Sequence, residues 1–208
     1  MSGTNRSRIW AVIGTSLVAI GLLIRLATTW GGDDALPSPS GSMPLPDASA
    51  VTAAPGTYPP PRSLCEKVDF TEFAQVFKPQ GASDGYNTGL EPEVVSGSMC
   101  KQSMSRTGTG VVKVSVLCSA YRDPGKAVEA FDSLRGFYGP PEAVSGLGDE
   151  AYRYRASKSP TVAMKVRDDN LDCQVEAEPN PPLDDSETES SFTAMHQLLA
   201  TLIPKLAH

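Results

Sequence analysis

Val162-Ala163-Met164-Lys165-Val166-Arg167-Asp168-Asp169-Asn170-Leu171-Asp172-Cys173-Gln174-Val175-Glu176-Ala177-Glu178 is the stretch on which the fold turns. Val162, Met164 and Val166 alternate with Ala163, Lys165 and Arg167, and after Asp168-Asp169-Asn170 the alternation resumes. Leu171, Cys173, Val175 and Ala177 then oppose Asp172, Gln174, Glu176 and Glu178. Successive strand residues point to opposite faces, so a period of two marks a strand with one apolar side. Asp and Asn bond their own backbone and supply the turn between two such strands. The stretch predicts an antiparallel hairpin with one buried face.

Working outward, Tyr152 and Tyr154 mark a strand just before this hairpin, which completes a three-stranded meander. Behind it, Ser186-x-x-Glu189 reads as a capping box. The helix it opens carries Phe192, Met195, Leu199, Leu202 and Leu206 on one stripe. Towards the N-terminus, Asp123 as N-cap and Pro124 at the first helical position start another helix. Val128, Phe131, Leu134 and Tyr138 form its stripe, and Gly139-Pro140-Pro141 end it. Before that helix, strands are predicted at Val94–Gln102 and Gly110–Tyr121; in the second, Val112, Val114, Val116 and Cys118 share a face. Asp69–Phe77 reads as a short helix stopped by Pro79, and Gly81–Pro92 as a loop. The order α-β-β-α-β-β-β-α predicts an α+β domain, an antiparallel sheet of about five strands with helices packed on it.

All four cysteines, Cys65, Cys100, Cys118 and Cys173, fall in this region. No C-x-x-C occurs, so neither a zinc site nor a thioredoxin-type motif is supported. Two disulfides are expected, with three connectivities open. Cys118 and Cys173 both lie on apolar strand faces. If those strands are neighbours, they pair, and Cys65 pairs with Cys100; the other connectivities pull an inward cysteine off its face.

The chain is 208 residues long, with Lys+Arg 18, Asp+Glu 24 and a net charge of −6. Four blocks divide it. Residues 1–8 form a short basic tail, the cytoplasmic end. From Ile9 to Trp30 the sequence is predominantly apolar with one charge, Arg25, and is bracketed by Trp10 and Trp30. At about 1.5 Å per residue this helix reaches roughly 33 Å, enough to cross a bilayer. Arg25 sits near one end and can snorkel. Arg6 and Arg8 before the segment, with Asp33 and Asp34 after it, predict a signal anchor with the C-terminus outside. Ala27-Thr28-Thr29 is a poor cleavage site and Ala48-Ser49-Ala50 a distant one, so secretion after cleavage is the alternative. Residues 31–62 hold eight Pro, four Gly and four Ser and read as a disordered linker, and 63–208 as the extracytoplasmic domain.

An acidic domain without a clustered basic footprint excludes a phosphate-backbone binder, so no nucleic-acid partner is expected. Gly146-x-Gly148-x-x-Ala151 matches a dinucleotide fingerprint in letters only. That motif joins a strand to a following helix, whereas here a helix precedes and a strand follows, so a turn is predicted and no cofactor. Asp168-x-Asn170-x-Asp172 resembles the opening of a calcium loop. Cys173 replaces its glycine and Pro179 its final glutamate, so no metal is expected either. His196, four residues after Phe192, reads as a structural histidine beside the core stripe. No catalytic set is legible.

Ser63-Leu64-Cys65, Met99-Cys100 and Val144-Ser145-Gly146-Leu147-Gly148-Asp149-Glu150-Ala151-Tyr152 resemble a family of actinobacterial extracytoplasmic domains of unknown function, with a Gly-Leu-Gly-Asp-x-Ala motif, over about residues 63–207. Many relatives are lipoproteins; no lipid-modifiable cysteine precedes Cys65 in this chain. The resemblance implies a cell-envelope protein and carries no functional residues over.

The expectation is therefore a single-pass membrane protein whose outer domain is a non-enzymatic binding or interaction module, with an envelope protein or lipid as partner. One alternative is a small-ligand or lipid carrier or sensor, with a cleft between the sheet and the Leu199/Leu202 helix. An envelope hydrolase is third. A carrier would show an enclosed apolar cavity, a binding module an exposed apolar patch, and an enzyme convergent polar groups in a pocket.

Overall fold

The computed structural model describes residues 56–89 and 95–207. The predicted anchor at 9–30 and most of the predicted linker lie outside the described residues. The elements are α1 (Leu64–Lys67), α2 (Thr71–Ala74), β1 (Lys78–Thr88), β2 (Val95–Ser105), β3 (Val111–Tyr121), α3 (Pro124–Ser133), β4 (Glu142–Val144), β5 (Glu150–Arg155), β6 (Val162–Asp168), β7 (Leu171–Asn180) and α4 (Asp185–Leu206). One open antiparallel sheet runs β1-β2-β3-β7-β6-β5-β4. The α+β class stands, with seven strands rather than about five.

Both extra strands lack the alternation that marks a half-buried strand. β1, read as loop from Gly81, is an edge strand exposed along nearly its whole length; it contains Gly81, Gly85 and Pro79 and has no apolar face to announce it. β4 is three residues long. Pro79, a register shift between Gln80 and Asp84, and the shortness of β4 all discourage further strands from adding at the two edges. The first predicted helix contracts to Thr71–Ala74, but Phe73 and Phe77 on either side of its end are buried.

The front face of the sheet holds the core. Val112, Val114, Val116 and Cys118 of β3 meet Cys173, Val175 and Ala177 of β7 and Met164 and Val166 of β6, all 0–2 % exposed. α4 lies across this face, and its predicted stripe of Phe192, Met195, Leu199, Leu202 and Leu206 is buried. Its cap is two residues earlier than the sequence suggested. Asp184 accepts from Glu187 N at 2.8 Å and Asp184 N donates to Glu187 at 3.1 Å, a capping box two residues ahead of Ser186/Glu189. Glu189 is engaged instead by Arg153 and Arg155.

The reverse face carries α3. Asp123 caps it as predicted, accepting from Gly125 N at 2.8 Å. Its buried stripe is Ala127 and Phe131, whereas Val128 is 40 % exposed and Tyr138 lies beyond the helix end at 44 %. Phe131 packs with Tyr152, Tyr154 and Ala163 in a second, smaller cluster.

Cys118 joins Cys173 directly across β3 and β7, and Cys65 joins Cys100, tying α1 to β2. This is the connectivity that the strand faces favoured. The two bridges mark a domain made for an oxidising, extracytoplasmic compartment.

The packed region also begins before Ser63. Thr57 N donates to Asp169 at 2.6 Å, and Tyr58 N to Asn170 Oδ1 at 2.8 Å. Tyr58 Oη donates to Asp168, and Tyr58 is 8 % exposed. Residues 57 and 58, at the end of the Pro-rich stretch, are thus pinned to the β6–β7 turn.

Candidate functional site

Two sequence motifs meet at that turn, and each is spent on structure. Asp168 accepts from Tyr58, while Asn170 Nδ2 donates to the carbonyls of Tyr58 and Tyr121 at 2.9 and 2.7 Å. Asp172 lies on the reverse sheet face and pairs with Lys165. The Asp-x-Asn-x-Asp spacing therefore does not converge on one point, and among the described residues no group of three or more His, Cys, Asp or Glu side chains is placed to hold a metal. Gly146 and Gly148 have φ of 79° and 51°, which is the turn that the Gly-Leu-Gly string predicted.

On the front face, a groove of about 410 Å³ runs between α4 and the β4–β5 edge, lined by Glu142, Ser145, Arg153, Phe192, Thr193 and His196 among others. Arg153 spans it, with Nε 2.8 Å from Glu142, Nη1 2.8 Å from Glu189, and its guanidinium 4.6 Å above the Phe192 ring centre. His196 Nε2 stands 3.3 Å from the Ser145 carbonyl, so the histidine latches α4 to the end of β4. That is the structural part expected of it. Among the described residues no acid bonds the ring to orient it as a base.

The reverse face has two halves. Under α3, Lys165 Nζ and Asp172 Oδ2 are 2.8 Å apart, with side chains 4 % and 9 % exposed. Phe131 lies 5.7 Å from that ammonium and 5.0 Å from the Tyr152 ring, which it meets edge-on. Burial pushes the Tyr152 phenol up to about 12, helped by the Asp172 carboxylate. Burial also raises Asp172 against the pull of Lys165 and Arg167. Such a pair loses hydration on both sides and is poor evidence of stabilisation, yet removing one partner strands the other charge. Sequence alternation had already put Lys165 and Asp172 on the polar face. Only α3, packed over them, shows that this face is closed there.

The other half is open. Tyr86, Met99, Leu117 and Gln174 form one cross-strand row over β1, β2, β3 and β7, with Lys101, Lys113, Glu176 and Glu178 around it. α3 packs on β3, β7 and β6 and leaves this region uncovered among the described residues. Met99 and Leu117 are half-buried, Tyr86 is 53 % exposed, and Lys101 Nζ sits 5.6 Å over its ring. The row was missed from sequence because β1 was missed.

In comparisons with known proteins, no family model, no curated protein and no solved structure matched the chain. What the site can do therefore follows from its own chemistry.

The carboxyl groups predict an acid response. Asp149 is held below its ordinary range by the Asp169 backbone N–H and by Arg167. Glu189 is held low by Arg153 and Arg155. Groups depressed in the fold stabilise it above their unfolded values near ~4 and lose that contribution as pH falls through the folded value. Asp172, raised, has the opposite sign: its contribution is full below the unfolded value and is lost as pH rises through the folded one. With Asp69 held low by its hydrogen bonds from Thr71 as well, three groups stand against one, and the urea midpoint is expected to fall on acidification from about pH 5 to 2. In Arg153→Met, where Glu189 loses its foremost partner, the fall should be shallower. A midpoint that climbs throughout that range would show Asp172 to dominate.

Proposed function

We propose that the chain is a membrane-anchored, non-enzymatic binding module of the cell envelope, which engages another envelope protein through the open half of the reverse sheet face. The observation that carries this reading is the uncovered row of Tyr86, Met99 and Leu117, apolar surface rimmed by charges of both signs. Contiguous apolar surface rimmed by polar residues is a mark of partner-binding sites. Rim charges then set orientation and encounter rate rather than raw affinity. The two disulfides support a location outside the cytoplasm, and the 9–30 segment supports tethering there. Leu199 and Leu202 are packed at 0 % and 1 % exposure where the carrier alternative expects a cleft, which favours the binding module over it.

The test is site-specific photocrosslinking in cells that make the full chain natively. A photoreactive residue at Lys113 or Leu117 should give one discrete adduct, while the same group at Thr201, exposed on α4, should give none. An adduct of twice the chain's mass would replace the foreign partner by a second copy. No adduct from either position on the open face would overturn the reading.

A further inference from the structure

The closed half of the reverse face holds three buried polar atoms that no described residue satisfies: Tyr152 Oη, Arg167 Nε and Asp172 Oδ1. Tyr152 is 2 % exposed and Asp172 8 %. The strand register places all three on this face in neighbouring rows, with Asp172 opposite Arg167 on β7 and β6, and Tyr152 of β5 opposite Lys165. Phe131 of α3 closes the space above Tyr152 and Lys165. A buried donor or acceptor left without a partner costs its full desolvation. A marginally stable domain does not carry that cost three times in one place.

The atoms themselves specify what fits among them. Arg167 Nε–H can only donate, Asp172 Oδ1 accepts, and Tyr152 Oη can do either. A guest has to accept and donate at one point. An anion such as phosphate would meet the Asp172 carboxylate, and a cation would find one free carboxylate oxygen beside two fixed positive charges. Those charges are already balanced, Lys165 by Asp172 and Arg167 Nη1 by Asp149 at 2.8 Å, so the guest is neutral. We propose that the seam beneath α3 binds one neutral hydroxyl group, which accepts from Arg167 Nε, donates to Asp172 Oδ1 and has Tyr152 Oη as its third partner. Its source is an ordered water or a small hydroxylated solute. Buried waters with about three such partners are ordinary components of folded proteins. The inference concerns the closed half of the face and stands independently of docking at the open half.

Tyr152→Phe in the full-length chain decides by the sign of its effect. If Tyr152 Oη has no partner, its removal relieves a desolvated hydroxyl and the thermal midpoint rises or stays put, which would overturn the proposal. If it holds the guest, the midpoint drops by about 2–4 °C, the loss of one hydrogen bond in a domain of this size. The source is read from wild-type protein unfolded and refolded in polyol-free buffer. An unchanged midpoint assigns the hydroxyl to water. A lower midpoint, regained on adding glycerol to wild type but not to Tyr152→Phe, assigns it to a small polyol. A fall that glycerol leaves in place overturns the hydroxyl assignment.

Discussion

Replacing Cys118 and Cys173 together by alanine is expected to remove about 4 kcal/mol of stability, the chain-entropy value for a bridge closing a loop of this length. The bridge spans 55 residues and joins the central strand β7 to its neighbour β3, with Cα atoms 4.1 Å apart and both cysteines fully buried. Everything from α3 through β6 lies inside that loop, so its opening enlarges the unfolded ensemble of more than a third of the domain. Deleting the two buried sulfurs also leaves space beneath α4, which adds to the loss. The second bridge, Cys65–Cys100, closes 35 residues and ties down α1, whose Cys65 is partly exposed. Its alanine pair should cost less, because the loop is shorter and only one of its two cysteines is fully buried. Urea unfolding of both double variants under oxidising conditions tests the ranking. A central pair that costs under about 1 kcal/mol would mean that the β3–β7 contact is held without its bridge. With total stabilities of about 5–15 kcal/mol usual for domains, reducing this bond should remove from about a quarter to most of the stability.

The β3–β7 pairing was legible because both strands alternate cleanly and each places a cysteine on its apolar face. Burial imposes that alternation, and where burial is absent the signal goes with it. β1 shows this: Lys78–Thr88 is held to β2 by backbone hydrogen bonds, which any residue can make, and its side chains face solvent. The α4 cap slipped for another reason. Asp184, Asp185, Ser186, Glu187 and Glu189 offer overlapping capping boxes, and local chemistry does not rank them. The tertiary pull of Arg153 and Arg155 on Glu189, together with Arg106 on Glu187, decides the register. Tyr58 was hidden by its company of prolines; its partners are 110 and 112 residues away. The polar seam was half legible: the residues were on the expected face, but a face closed by α3 reads in sequence like a face open to water.

Leu199→Ala is expected to cost about 3 kcal/mol, within the 2–5 kcal/mol range for truncating a buried leucine, and the value discriminates between functions as well as measuring packing. Leu199 is fully buried where α4 crosses the sheet, beside Met195 and Leu202. A carrier needs that interface to part or to be preformed as a cavity. Truncating a side chain that lines such a cavity removes little, because the surrounding atoms were not in close contact with it. A packed core responds with the full transfer loss plus the space left behind, and the surroundings relax only partly. Val128→Ala, on the exposed side of α3 at 40 % exposure, is the matched control and should stay within about ±0.5 kcal/mol. The proposed docking face lies on the opposite side of the sheet, so Leu199→Ala should also leave the Lys113 crosslink in place in the molecules that remain folded. A cost below about 1 kcal/mol would show a loose interface under α4, and the carrier reading would then have the cleft it requires.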